Sequence, residues 1–130
     1  MARILIADDS SYQRGRLRKV IEAWGHQTLE ATSGKEALVA VANEALDAIL
    51  LDLIMPEVQG FDVLRELQGR PDVAPIIVIT ADIQDDVRAE CLALGAAVFI
   101  NKPVKPEQLQ TALNSLLGSR ESSGNASHSS

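Results

Sequence analysis

Four consecutive apolar residues, Ala48, Ile49, Leu50 and Leu51, stop at a carboxylate, Asp52. A run this short, apolar at every position and not only at alternate ones, fits a strand buried on both faces. Such strands belong to parallel sheets sandwiched between helices. A carboxylate is costly to bury without partners, so Asp52 is expected at the strand's carboxyl-terminal mouth. Pro56 and Gly60 then break the chain into a loop, after which Phe61, Leu64 and Leu67 resume at helical spacing. In parallel sheets such mouths are where ligands bind.

The same unit recurs along the chain. Ile4 to Ala7 form a first buried strand ending in Asp8-Asp9-Ser10-Ser11, and Leu17, Val20, Ile21 and Trp24 follow at helical spacing until Gly25. Trp24 reads as a core residue. Thr28 to Ala31 is a more polar strand suited to a sheet edge. Ser33-Gly-Lys-Glu36 reads as a capping box that opens a helix carrying Ala37, Leu38 and Val41. Its rival reading, a phosphate-binding loop, lacks the remaining glycines. Ile76 to Ile79 form a fourth strand ended by Thr80, and Ile83, Val87, Cys91 and Leu94 space a fourth helix closed by Gly95. Val98, Phe99 and Ile100 make a fifth strand. Pro106 opens a last helix with Leu109, Ala112, Leu113, Leu116 and Leu117 on its inner face, and Gly118 is expected to stop it. Five alternations of strand and helix predict an α/β fold with one parallel sheet covered on both faces. The domain is expected over residues 1–118. Residues 119–130, Ser-rich and without apolar periodicity, read as a disordered tail in which Asn125-Ala126-Ser127 is a sequon in form only.

A chain of 130 residues holds one core of ordinary size. Its net charge of −6, from 12 Lys plus Arg against 18 Asp plus Glu, disfavours nonspecific attraction to nucleic acid or to an anionic membrane. The single cysteine, Cys91, excludes an internal disulfide and reads as a packing residue. Met-Ala-Arg-Ile lacks the apolar segment of a signal peptide or membrane span, so a cytoplasmic protein is expected.

In a parallel sheet the carboxyl ends of all strands share one edge, so Asp8, Asp9, Asp52, Thr80 and Lys102 can converge. Three carboxylates roughly 5 Å apart repel by about 3 kcal/mol per pair at an effective dielectric near 20. Lys102 supplies one positive charge, and a hard divalent ion with oxygen ligands supplies two, which makes Mg²⁺ the expected guest. His26 and His128 are placed away from this cluster, at the surface, with no sign of a metal or general-base role.

The segment Asp52-x-x-Met55-Pro56-x-x-x-Gly60 resembles the phosphoacceptor segment of bacterial response-regulator receiver domains. The family's other marks follow in order: Asp8-Asp9, Thr80-Ala81 and Lys102-Pro103. The resemblance spans roughly residues 3 to 117 and implies a flavodoxin-like sheet with strand order 2-1-3-4-5. It implies Asp9 and Asp52 as Mg²⁺ ligands, Asp8 acting through water, and the main-chain carbonyl of Ile54 completing the set. Asp52 is then the phosphoacceptor, Lys102 and Mg²⁺ neutralise the transferring oxygens, and Thr80 is the switch hydroxyl. Phe99 falls at the aromatic switch position, where the family often carries Tyr. Without a phenolic hydroxyl, burial alone has to report the state. The resemblance also implies a cis Lys102-Pro103 bond and a phosphodonor that is a sensor histidine kinase or a histidine phosphotransfer protein. The downstream protein target is expected on the face of the fourth helix, fifth strand and fifth helix, bearing Gln84, Arg88, Val98 and Gln108.

These residues describe a stand-alone receiver, either a motor-directed chemotaxis regulator or a phosphorelay intermediate, with excision from a longer protein as a third reading. The rival of another class is a small Mg²⁺-dependent phosphohydrolase with Asp52 as nucleophile. Such enzymes usually carry a second acid two residues on, where this chain has Ile54. A flavodoxin-like cofactor binder is disfavoured because a phosphate-bearing flavin needs amides and hydroxyls where these strand ends are acidic. Ile54 and Asp82, two residues after the acceptor and the switch hydroxyl, are expected to flank the path of water to the site.

Overall fold

Each apolar run becomes a strand and each helically spaced segment a helix. The computed structural model describes residues 2–55, 59–82 and 84–124. Within it the order is β1 (Arg3–Ala7), α1 (Ser11–Ala23), β2 (Gln27–Ala31), α2 (Gly34–Asn43), β3 (Ala48–Asp52), α3 (Gly60–Leu67), β4 (Ile76–Thr80), α4 (Asp85–Ala93), β5 (Val98–Asn101) and α5 (Pro106–Gly124). The five strands form one parallel sheet in the order β2-β1-β3-β4-β5, as the resemblance implied. β3 and β4 are buried at every position, whereas β2 at the edge has exposed residues along its length.

Alternation along the strands divides the apolar side chains between two cores. Leu5, Ile49, Leu51 and Val78 pack with Ala37 of α2, Val63, Leu64 and Leu67 of α3, and Cys91 of α4. Ile4, Ile6, Leu50, Ile77 and Ile79 pack with Leu17 and Ile21 of α1 and with Leu109 and Leu113 of α5. Trp24 lies half-buried against this second core, as expected. With both faces covered by helices, the sheet leaves its carboxyl edge for polar chemistry.

Three details depart from expectation. Helix α5 runs through Gly118 to Gly124. A Gly inside a helix costs only about 1 kcal/mol against Ala, and no proline follows to end the helix. The tail expected over 119–130 is therefore helical in backbone to residue 124, while residues 125–130, with the sequon and His128, lie outside the described residues, as do Pro56 and Ile83. His26 is half-buried, not a plain surface residue, because its Nδ1 accepts the Ala2 N–H at 3.2 Å. In the capping box Ser33 Oγ accepts the Glu36 N–H at 3.1 Å, but the Glu36 carboxylate returns to the residue before the cap. It accepts the Thr32 N–H at 2.7 Å and the Thr32 hydroxyl at 2.8 Å, and these bonds hold its carboxyl below the usual range.

Gly60, the first residue of α3, sits where its backbone closes on the end of β3. A Cβ there would lie 2.5 Å from the Asp52 carbonyl oxygen and 2.5 Å from Leu53 Cα, both main-chain atoms that cannot swing aside. Gly15, inside α1, has nothing within 4 Å of the same position. The one substitution should thus act with opposite signs: Gly60→Ala should lose about 2 kcal/mol or more in urea unfolding, and Gly15→Ala should gain about 0.5–1 kcal/mol. A neutral Gly60→Ala would mean that the α3 start does not depend on this close approach.

Candidate functional site

Four strand ends build the site. At the end of β1, Asp8 is buried and Asp9 exposed. Asp8 Oδ1 accepts the Ser10 N–H at 2.9 Å, and Ser10 Oγ accepts the Gln13 N–H at 3.3 Å as the N-cap of α1, so one tight turn both aims the carboxylate and starts the helix. Asp52 closes β3, only 6% exposed, its Oδ1 accepting the Ile54 N–H at 3.3 Å. The chain is then folded back by the Gly60 N–H on the Leu53 carbonyl at 2.9 Å.

β4 ends in Thr80, fully buried, one residue past Ile79, the register partner of Asp52. Its Oγ1 accepts the Asp82 N–H at 3.2 Å, which leaves the hydroxyl proton free to be donated elsewhere. β5 places Asn101 opposite Thr80, and the next residue, Lys102, gives its N–H to the Thr80 carbonyl at 2.8 Å. Lys102 Nζ reaches Asp8 Oδ2 at 3.3 Å and Asp52 Oδ2 at 3.4 Å, and the Lys102-Pro103 bond is cis, as the resemblance implied.

The structure therefore brings Asp8, Asp9, Asp52, Thr80 and Lys102 to one edge, with carboxylate oxygens of the three acids within 4.8 Å of one another. Lys102 is the one cation bonded to these carboxylates among the described residues. Burial pushes the Asp52 carboxyl above its usual range. Lys102 opposes that shift, the neighbouring Asp8 charge reinforces it, and the Ile54 N–H opposes it in turn. An oxygen-only donor set with more negative than positive charge fits Mg²⁺, and Asp8, Asp9 and Asp52 are the side chains that would hold it.

The two positions that the resemblance implies as a switch, Thr80 and Phe99, lie on the adjoining strands β4 and β5. Phe99 is paired in register with Val78 and half-buried against the core under α2, α3 and α4. Ile54 is 65% exposed beside Asp52. Asp82 Oδ1 accepts the Gln84 N–H at 2.9 Å and thereby tethers the start of α4. Two side chains of the site have no counterpart in the motifs. Arg14 Nη1 donates to the Asp8 carbonyl at 2.8 Å, and Asn101 Nδ2 donates to the Asp82 carbonyl at 2.8 Å. Both act on main-chain oxygens, which every residue type offers.

A doubly wound parallel domain with three acids, a buried hydroxyl and a lysine on its carboxyl edge has the architecture of a phosphoryl-accepting receiver. The model of the response regulator receiver domain family matches residues 4–114, and the chain belongs to that family. It is 34% identical over 119 residues to protein PilH of Pseudomonas aeruginosa, covering 90% of this chain and 98% of PilH. Response regulator SaeR of Staphylococcus aureus is 34% identical over 117 residues, of which this chain spans about half the length, 51%. Among solved structures, the receiver domain of the Francisella response regulator 1452 superposes with a TM-score of 0.88 at 27% identity, covering 92% of this chain and 99% of that one. The receiver domain of sensor histidine kinase PA1611 from Pseudomonas aeruginosa, which carries a magnesium ion in its active-site cleft, superposes with a TM-score of 0.82 at 26% identity, covering 90% and 98%.

The chain is accordingly a phosphorylation-activated switch of two-component signalling. Membership implies interaction with histidine kinases or phosphotransfer proteins. The phosphohydrolase alternative finds no support in these comparisons. Among the described residues no helix is long and apolar enough to cross a membrane.

The strained carboxylates make a stability prediction. Because the folded-state pKa of Asp52 lies above its unfolded value, the native state holds more protons in the window between the two, and stability falls as pH rises through it. At neutral pH the ionised Asp52 is thus a cost to the metal-free fold. Asp52→Asn should raise the metal-free Tm by about 3–5 °C near pH 7, with the gain shrinking as pH falls toward the ordinary Asp range. Adding Mg²⁺ should stabilise the wild type by mass action and leave Asp52→Asn nearly unmoved. Thermal unfolding at several pH values, with and without Mg²⁺, checks both, and a less stable Asp52→Asn would contradict the electrostatic account.

Proposed function

We propose that Asp52 accepts the phosphoryl group and that Thr80 and Phe99 convert its arrival into a change of surface on α4, β5 and α5. The observation that carries this reading is the Asp52 carboxylate, buried at the end of β3, 3.4 Å from Lys102 Nζ and crowded by two further acids. An Asp52 oxygen attacks the phosphorus of a phosphohistidine in the kinase or phosphotransfer protein. The P–O bond forms as the P–N bond breaks, and the electron pair leaves with the imidazole. Lys102 meets the negative charge spreading over the transferring oxygens. Mg²⁺, when bound, adds charge neutralisation at those same oxygens. Asp8 and Asp9, with the main-chain carbonyl of Ile54, complete the proposed cation set.

The product is an aspartyl phosphate whose new oxygens call for a donor. Thr80 has its proton free for that role and is tied by its backbone to Lys102 and by its hydroxyl to Asp82, so its movement draws on β5 and on the start of α4 together. Phe99, two register positions from Thr80 on the adjoining strand, can turn inward as space opens. Gln84, Arg88 and Gln108 are exposed and Val98 is half-buried, which suits them to present the changed face to a protein target.

Two experiments test this. Incubation with Mg²⁺ and a small phosphodonor such as acetyl phosphate should label the wild type at one site and leave Asp52→Asn unlabelled. Equal labelling of the variant would overturn the assignment. The exposed branched side chain of Ile54 cannot hold an attacking water by a hydrogen bond, and one such bond is worth about 1 kcal/mol, or roughly fivefold in rate. Ile54→Asn should quicken loss of label after the donor is removed by about that factor. Slower loss in the variant would show that Ile54 does not keep water from the phosphoryl group.

A further inference from the structure

We infer that Arg14 is a positioning residue for the acid cluster: it ties Asp8 to the outer strand β2, so that a strand contributing no ligand sets the geometry in which the divalent cation is held. The inference rests on reading Asp8, Asp9 and Asp52 as the cation site, and goes beyond it to a residue on another element. Arg14 lies on α1 four residues after the cap Ser10, with only 13% of its side chain exposed. Its guanidinium makes two short bonds in different directions, Nη1 to the Asp8 carbonyl at 2.8 Å and Nε to Glu30 Oε1 at 2.8 Å. Glu30 in turn faces Arg18 Nε at 3.6 Å.

Asp8 is also held from its other side, its N–H donating to the Ala31 carbonyl at 3.1 Å. Both main-chain polar groups of Asp8 are thus anchored to consecutive residues of β2, one directly to Ala31 and one through Arg14 to Glu30. Its Oδ1 is fixed by the Ser10 N–H. A carboxylate restrained on three sides has little freedom to turn away from Asp52, although the charges of the two acids repel. Partners that orient metal ligands from behind typically matter about 10–100-fold in metal affinity. Arginine suits the task because its planar fork serves two acceptors at once, whereas an ammonium concentrates its donors at one point.

Charge and positioning predict opposite signs. A guanidinium close to a cation site repels the cation, so if Arg14 acted only through its charge, removing it would tighten Mg²⁺ binding. If it positions Asp8, removing it weakens binding. The experiment is calorimetric titration of the full chain with Mg²⁺ for wild type, Arg14→Ala, Arg14→Lys and Asp52→Asn, with metal-free circular dichroism to verify folding. Arg14→Ala should raise the Mg²⁺ Kd about tenfold, and Arg14→Lys, which keeps the charge and loses the fork, by at least about threefold. Unchanged or tighter binding in Arg14→Ala, or wild-type affinity in Arg14→Lys, overturns the inference. Should Arg14→Ala fail to fold, Glu30→Ala, which leaves Arg14 in place but unties it from β2, carries the same expectation at about threefold. Asp52→Asn separates the two levels: wild-type affinity there means that the cation site itself is wrong, while its loss alongside unaffected Arg14 variants means that only Arg14 is wrong.

Discussion

Three carboxylates held within 4.8 Å of one another against a single lysine are the constraint around which this domain is arranged. Carboxylates left to themselves would separate, because their mutual repulsion and the desolvation of Asp52 both act against the folded state. What holds them is the parallel sheet. Its strands all end on the same edge, β1 and β3 are adjacent, and two cores of Ile, Leu and Val clamp those strands from both faces. The apolar interior thus stabilises a polar edge that would not assemble alone, and a cation arriving there relieves stress already present.

In the proposed switch, that stress is what the cation and the phosphoryl group act on. A divalent ion offsets the surplus of negative charge, and a phosphoryl group restores negative charge in a new place, beside a hydroxyl with a free proton. Thr80 is bonded through its carbonyl to Lys102 and through Oγ1 to Asp82, and Asn101 holds the Asp82 carbonyl from β5. These few bonds join the phosphoacceptor edge to the start of α4 and to β5. In the proposed switch, a small movement of Thr80 would be carried by these bonds to a surface distant from Asp52.

Much of this was legible in the residues. Continuous apolar runs such as Ile76 to Ile79 marked buried strands, the polar run at Thr28 to Ala31 marked an edge, and acids or hydroxyls placed directly after such runs marked the ligand edge. Strand order is different: it depends on which strands pair, and came from the resemblance of the motifs and not from the residues themselves. Gly118 misled because its cost in a helix is small, so α5 continues past it. Arg14, Asn101 and His26 stayed invisible for one common reason. Each bonds to a main-chain group, of Asp8, Asp82 and Ala2 respectively, and a main-chain group leaves no mark in residue type.

The central claim is that chemistry at Asp52 is read out through Thr80 into α4 and β5. Hydrogen–deuterium exchange, resolved along the chain with Mg²⁺ present and compared before and after complete phosphorylation, tests it most directly. The account predicts altered protection at the end of β4, through α4 and along β5, with β2 and the helix α2 beside it unchanged. Full phosphorylation with no change in α4 and β5, or with change confined to β2 and α2, would contradict it.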